Sequence, residues 1–200
     1  IESYDNAIKI NPNYAAAHYN KGVVLQELKL LNQAIESYDS AIKIIPKFLQ
    51  AHNNKGFALQ KIKKIEASLE SYYNVFKLSP DFDFLLGELI HTKNKLCLWS
   101  SFHEDLKNLK RKLIEKKKVS PPFPILQLYD SPHLQKITTE IWNKEKFYDK
   151  IPKNTFVKSK NKKIRIGYYS ADFYNHAMSY LLAGLFETQN KSKFEIIAFS

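Results

Sequence analysis

The sequence predicts a mostly α-helical protein: stacked helix pairs, then a helical connector, then one β-α-β unit. Three observations lead there. Residues 1–14, IESYDNAIKINPNY, recur as residues 35–48, IESYDSAIKIIPKF, identical at ten of fourteen positions at a spacing of 34. Residues 83–147 keep helical apolar spacing but lose that period. Residues 163–199 instead carry two short apolar runs, IRIGY and FEIIAF, on either side of a helical segment.

The repeat comes first. The frame returns, less closely, as LESYYNVFKLSPDF at 69–82. A helical pattern with a period of 34 is the signature of tetratricopeptide repeats, whose helix pairs bury their apolar faces only against neighbours. The repeat at 15–48 offers Gly22 for close helix approach, Leu25, small Ala34 and Ala41, Tyr38 as the packing aromatic, and Pro46 at its end. The repeat at 49–82 offers Gly56, Leu59, Ser68, Tyr72, Val75 and Pro80 in the same places. Lys21 and Lys55 stand where leucine is usual, and His18 and His52 where tryptophan is usual. The histidines lie a full repeat apart, too far to share a metal ion, and are expected to pack. Ile1 falls inside a second helix, so the array is expected to run further back than residue 1.

Asn20 and Asn54 lie two residues beyond His18 and His52 on each first helix. An amide there can hydrogen-bond an extended peptide backbone without reading its side chains. Periodicity alone leaves a solvated polar position equally open.

Residues 83–148 form the expected connector. Asp83 to Trp99 reads as a buried helix, and His103 to Lys118 as an amphipathic one with Leu106, Leu109 and Leu113 on its apolar face. The four prolines of VSPPFPILQLYDSP break the pattern, with Pro121 and Pro122 favouring an extended path packed on a neighbour. His133 to Phe147 resumes as a helix, and the lysine-rich stretch 149–163 reads as a flexible linker. The triplet Asp81-Phe82-Asp83 could suggest a metal–diphosphate site, but its position after Pro80 favours a helix cap.

Residues 164–200 then open a parallel α/β sheet: strand Ile164–Tyr168, helix Ser179–Glu187, strand 194–199. Ligands of such sheets bind beyond the carboxyl ends of the strands, where the turn ADFYNH lies. His176 in that turn can serve a phosphate or a hydroxyl, or can simply begin the helix. Gly167 stands alone, so there is no glycine-rich phosphate loop.

Composition excludes several classes. The net charge is +11, yet only Arg111 and Arg165 among 31 basic residues are arginine. Base and phosphate readers favour the guanidinium fork, so no nucleic-acid partner is expected. The longest apolar run is too short for a bilayer, and Cys97 is the only cysteine. A cytoplasmic location, with no membrane partner, is the expectation.

RIGYYSADFYNHAMSYLLAGLFE followed by KFEIIAFS, together with PDFDFLLGELIHTKNKLCLWSSF and VSPPFPILQLYDSP, resembles the tetratricopeptide-containing protein O-GlcNAc transferase/SPINDLY family, in a bacterial form. The resemblance implies a Rossmann-like (GT-B) lobe beginning at 164–200. It implies a metal-independent, inverting transferase that moves N-acetylglucosamine from UDP-GlcNAc to Ser or Thr of acceptor proteins. By the same resemblance His176 holds the place of the family's active-site histidine, and Asn20 and Asn54 match the asparagines that hold the acceptor polypeptide. Tyr174 replaces a glycine and Ala177 a proline of the family pattern, and SPINDLY-type relatives transfer fucose. With the family's second, nucleotide-holding lobe absent from these residues, the chain alone is expected to be catalytically silent. The competing expectation is a repeat adaptor that binds peptides without catalysis.

Overall fold

The structure, a computed structural model, describes residues 1–147, 163–170 and 177–199. The chain divides into two compact units, Ile1–Ile151 and Pro152–Ser200. No helix among the described residues is long and apolar enough to cross a membrane.

The first unit is helical: α1 (Glu2–Ile10), α2 (Ala15–Glu27), α3 (Leu31–Ile44), α4 (Leu49–Lys61), α5 (Ile65–Leu78), α6 (Leu85–Lys95), α7 (Phe102–Ile114), α8 (Pro122–Leu128) and α9 (Pro132–Phe147). Successive helices pack on one another through α1 to α7, as stacked pairs require. The expected packing residues sit in the core: Leu25, Ala34, Tyr38 and Ala58 form one cluster, and Leu69, Tyr72 and Val75 belong to the next. A Cβ on Gly22 would lie 2.6 Å from the Tyr38 ring, and one on Gly56 2.7 Å from Tyr72. Those glycines are thus required by a ring laid flat against a helix backbone.

The lysines in leucine positions have a partner. Lys21 meets Asp5 at 2.7 Å and Lys55 meets Asp39 at 2.6 Å, each pair joining the first helix of one repeat to the second helix of the repeat before. The histidines are equally regular: the Nε2–H of His18 donates to the Pro12 carbonyl at 3.0 Å and that of His52 to Pro46 at 2.9 Å. Each ring ties its helix to the inter-repeat turn.

Sequence identity fades after Phe82, but the backbone period does not. Lys29, Lys63 and Cys97 all adopt left-handed φ, at 62°, 63° and 55°. The next N–H reaches back to the helix in each case: Leu30 to the Leu25 carbonyl, Lys64 to Leu59 and Leu98 to Lys93, at 2.9, 2.9 and 3.0 Å. That is the Schellman ending of a helix, and it recurs every 34 residues into the α6–α7 pair. The expectation that the frame stops at Phe82 is corrected for the backbone. Ile90 and Leu106 stand where a glycine–tyrosine pair would continue the pattern; Ile90 is buried in the next core cluster and Leu106 packs against it. An aliphatic pair has replaced a ring laid on glycine, which hides the repeat from sequence identity.

Two further expectations need correction. The prolines do not hold an extended segment: Pro121 is extended (φ −68°, ψ 165°), but Pro122 starts the seven-residue helix α8. Proline is tolerated in a first helical turn because no N–H there needs a partner. Ile125 and Leu128 of α8 are buried in the same cluster as Leu109 and Leu113 of α7. Nor do the carboxylates of Asp81 and Asp83 cap α6, whose N-cap is Phe84 with no side-chain cap bond. Asp81 pairs with Lys112 at 2.6 Å and Asp83 with Lys118 at 3.5 Å. Backbone carbonyls do the capping, since Phe84 N–H donates to the Lys118 carbonyl at 2.6 Å and Gly87 N–H to Val119 at 2.8 Å.

The second unit, over its described residues, is β1 (Ile164–Tyr169), α10 (Ala177–Thr188) and β2 (Phe194–Phe199). The strands pair in parallel, with Ile164 opposite Phe194 and Tyr169 opposite Phe199. Opposed Arg165 and Glu195 form an ion pair at 3.0 Å, and Tyr168 meets Phe186 of α10 edge-on at 5.0 Å. This is the β-α-β unit expected from the sequence. The linker stretch 149–162 and the turn 171–176 lie outside the described residues.

Candidate functional site

The first unit contains a cavity of about 950 Å³. Helix α4 supplies Asn53, Asn54, Phe57 and Gln60 to one wall, and α6 supplies Glu88, His91 and Lys95. The opposite wall is Phe123 of α8 with Trp142 and Lys146 of α9. Segment 82–84 bridges them, because the αL conformation of Phe84 turns the chain sharply into α6. Phe84 and Trp142 meet edge-on at 4.9 Å, and Phe123 meets the His91 ring at 5.9 Å.

Polar groups at the floor are arranged in a chain. Gln60 Nε2 donates to Thr92 Oγ1 at 2.6 Å and to Glu88 at 3.4 Å, while Lys95 reaches Gln60 Oε1 at 3.5 Å. Burial raises the Glu88 carboxyl above its ordinary range, against the pull of Gln60, Lys95 and Lys61. Burial also pushes His91 down to about 4, with Lys95 adding to the shift, so its imidazole is neutral at pH 7. His91 Nδ1 is buried without a hydrogen-bond partner among the described residues.

Charge at the mouth is uneven. Two of the lining carboxylates, Asp83 and Glu145, are both paired with Lys118, at 3.5 and 2.8 Å. Lys61, Lys63, Lys95 and Lys146 line the cavity with no carboxylate within ion-pair distance among the described residues. Lys61 lies over Phe57 at 5.1 Å and Lys146 over Trp142 at 5.3 Å. A recess with an amide and aromatic floor and a cationic rim suits an extended polypeptide better than a small apolar ligand.

The residues singled out from sequence are only partly gathered here. Asn54 lines the cavity and donates its amide to the Tyr19 hydroxyl at 3.2 Å. Asn20 occupies the equivalent position on α2 and is exposed, but it does not line the cavity. His176 lies outside the described residues. Periodicity could have found Gln26 and Gln60, which stand 34 residues apart and both line the cavity. His91 beside Thr92, following Leu89-Ile90 in an apolar helix, was a second signal.

The recurring helix pairs, turns and ion pairs define a tetratricopeptide-repeat protein, and residues 1–29 and 49–82 match models of that repeat. Residues 131–200 match the model of glycosyl transferase family 41. The chain therefore carries a tetratricopeptide array followed, over residues 131–200, by a segment similar to glycosyl transferase family 41. No curated protein matched. Among solved structures, the MamA protein is similar at 17% identity and a TM-score of 0.52, over 73% of this chain and 83% of that one. That likeness concerns fold alone. A mutant O-GlcNAc transferase from Thermobaculum terrenum aligns with all of this chain at 19% identity and a TM-score of 0.45. This chain spans 33% of that structure's length.

Proposed function

We propose that the chain is part of a protein O-linked N-acetylglucosaminyltransferase whose repeats hold the acceptor polypeptide. The observation that carries the reading is the family 41 match at 131–200 joined directly to a tetratricopeptide array. The reaction is metal-independent transfer from UDP-GlcNAc to a Ser or Thr hydroxyl, with inversion at the sugar carbon. In this reading His176 is the group that takes the proton of the attacking hydroxyl. Asn20 and Asn54 bond the acceptor backbone, fixing its approach and so lowering the entropic part of the barrier. UDP is held by protein outside these residues, so the chain alone does not turn over. The working compartment is the cytoplasm.

The test is transfer of radiolabelled N-acetylglucosamine to proteins of a host lysate by the full reading frame. His176→Ala is expected to abolish labelling, and Asn20→Ala with Asn54→Ala to reduce it at low acceptor concentration. Labelling by GDP-fucose in place of UDP-GlcNAc would overturn the sugar assignment.

A second reading, a peptide-binding adaptor without catalysis, is favoured by one feature. Among the described residues, those that line the cavity run from Gln26 to Lys146, in the helical unit. Peptide binding without any sugar transfer would select it.

A further inference from the structure

The cavity contains more than amides for a peptide backbone. It has a side-chain floor of exposed rings, Phe57 and Phe123, and a rim of four lysines without carboxylate partners among the described residues. Its nearest carboxylates cannot offset that rim. Asp83 and Glu145 share the single cation of Lys118, Glu88 lies in the wall against Gln60, and the four rim lysines outnumber these three lining carboxylates. The His91 ring, its Nδ1 without a hydrogen-bond partner among the described residues, meets Phe123 edge-on. Cations held over aromatic faces at a recess mouth favour an anionic ligand with an apolar side chain to insert.

We propose that this cavity is a specificity subsite taking an acidic stretch of extended polypeptide that carries an aromatic side chain. The aromatic ring lies between Phe57 and Phe123, and its flanking carboxylates meet Lys61 and Lys146. Main-chain groups of the peptide meet Asn53 and Asn54 on α4. The inference rests on the reading that the repeats hold an acceptor polypeptide. It adds which segments they prefer.

The test is fluorescence anisotropy with short fluorescein-labelled peptides of Gly and Ser carrying a central Asp-Asp-Phe, Lys-Lys-Phe or Asp-Asp-Ala. The chain is expected to bind the first at least about tenfold more tightly than either other, with affinity falling as salt rises. Lys61→Glu with Lys146→Glu should erase the charge preference, and Phe123→Ala the aromatic preference. All three side chains are exposed, so circular dichroism is expected to show native folding. Equal binding of all three peptides, untouched by these changes, would overturn the subsite and leave the acceptor reading intact. Charge-selective binding in a protein that transfers no sugar would remove the transferase reading and support the subsite. Failure to bind any peptide, or displacement of the peptide by UDP alone, would overturn the inference.

Discussion

Gly87 is where the α6 helix and the segment leading into α8 come closest, and replacing it with alanine should open the cavity's wall. A Cβ at this position would lie 1.9 Å from Ser120 Oγ, 2.3 Å from its Cβ and 3.0 Å from its Cα. The last is backbone, so a rotamer change cannot remove the overlap. Forcing a methyl into a packed contact costs about 1–3 kcal/mol. The displaced segment also carries the two carbonyls that accept the Phe84 and Gly87 N–H groups. Losing those bonds costs about 1 kcal/mol each. Alanine's better helix propensity returns about 1 kcal/mol, leaving a net loss of about 2–4 kcal/mol. With a urea slope of about 2 kcal/mol/M, the unfolding midpoint of Gly87→Ala should fall by about 1–2 M. Adding Ser120→Gly removes the nearest two atoms and should recover more than half of that loss, a coupling a double-mutant cycle measures. A midpoint unchanged by Gly87→Ala, or the same loss with and without Ser120, would refute the reasoning.

Other outcomes follow from the same contacts. Lys55→Ala and Asp39→Ala should show a coupling of about 0.3–1 kcal/mol in urea unfolding, shrinking with added salt because both side chains are partly exposed. Lys29→Gly should stabilise the array by about 0.5–1 kcal/mol, since a left-handed φ of 62° costs a side chain more than it costs glycine; thermal unfolding would show it. For His91 the folded-state value of about 4 lies below the unfolded 6.5, so the unfolded chain binds the extra proton first. Stability should therefore decline as pH falls from about 6.5 toward 4, and His91→Phe should flatten that decline. Glu88, whose carboxyl is raised by burial, acts oppositely, losing stability as pH rises past its unfolded value. The comparison must therefore be between native and His91→Phe proteins.

The repeats were legible because identity at a spacing of 34 marks both the turn residues and the glycine–tyrosine contacts. What stayed hidden was chemistry that substitutes one packing solution for another. Ile90 and Leu106 do the work of Gly56 and Tyr72, so the third helix pair carries the turn geometry without the letters. Asp81 and Asp83 read as caps because position alone was visible, and their partners Lys112 and Lys118 lie some thirty residues on. Pro122 and Pro124 looked like breakers, but a helix start is the one place where proline costs no hydrogen bond. The cavity itself joins α4, α6, α8 and α9, and no local pattern announces a wall shared by elements so far apart in the chain.

The central claim, that repeats and family 41 segment serve one protein-modifying transferase, is tested most directly by labelling. The full reading frame, beside its His176→Ala form, would be incubated with radiolabelled UDP-GlcNAc and host lysate. Label on protein from the native form and its loss in the variant is the result the account predicts. Peptide binding retained with no label from any sugar nucleotide would contradict it.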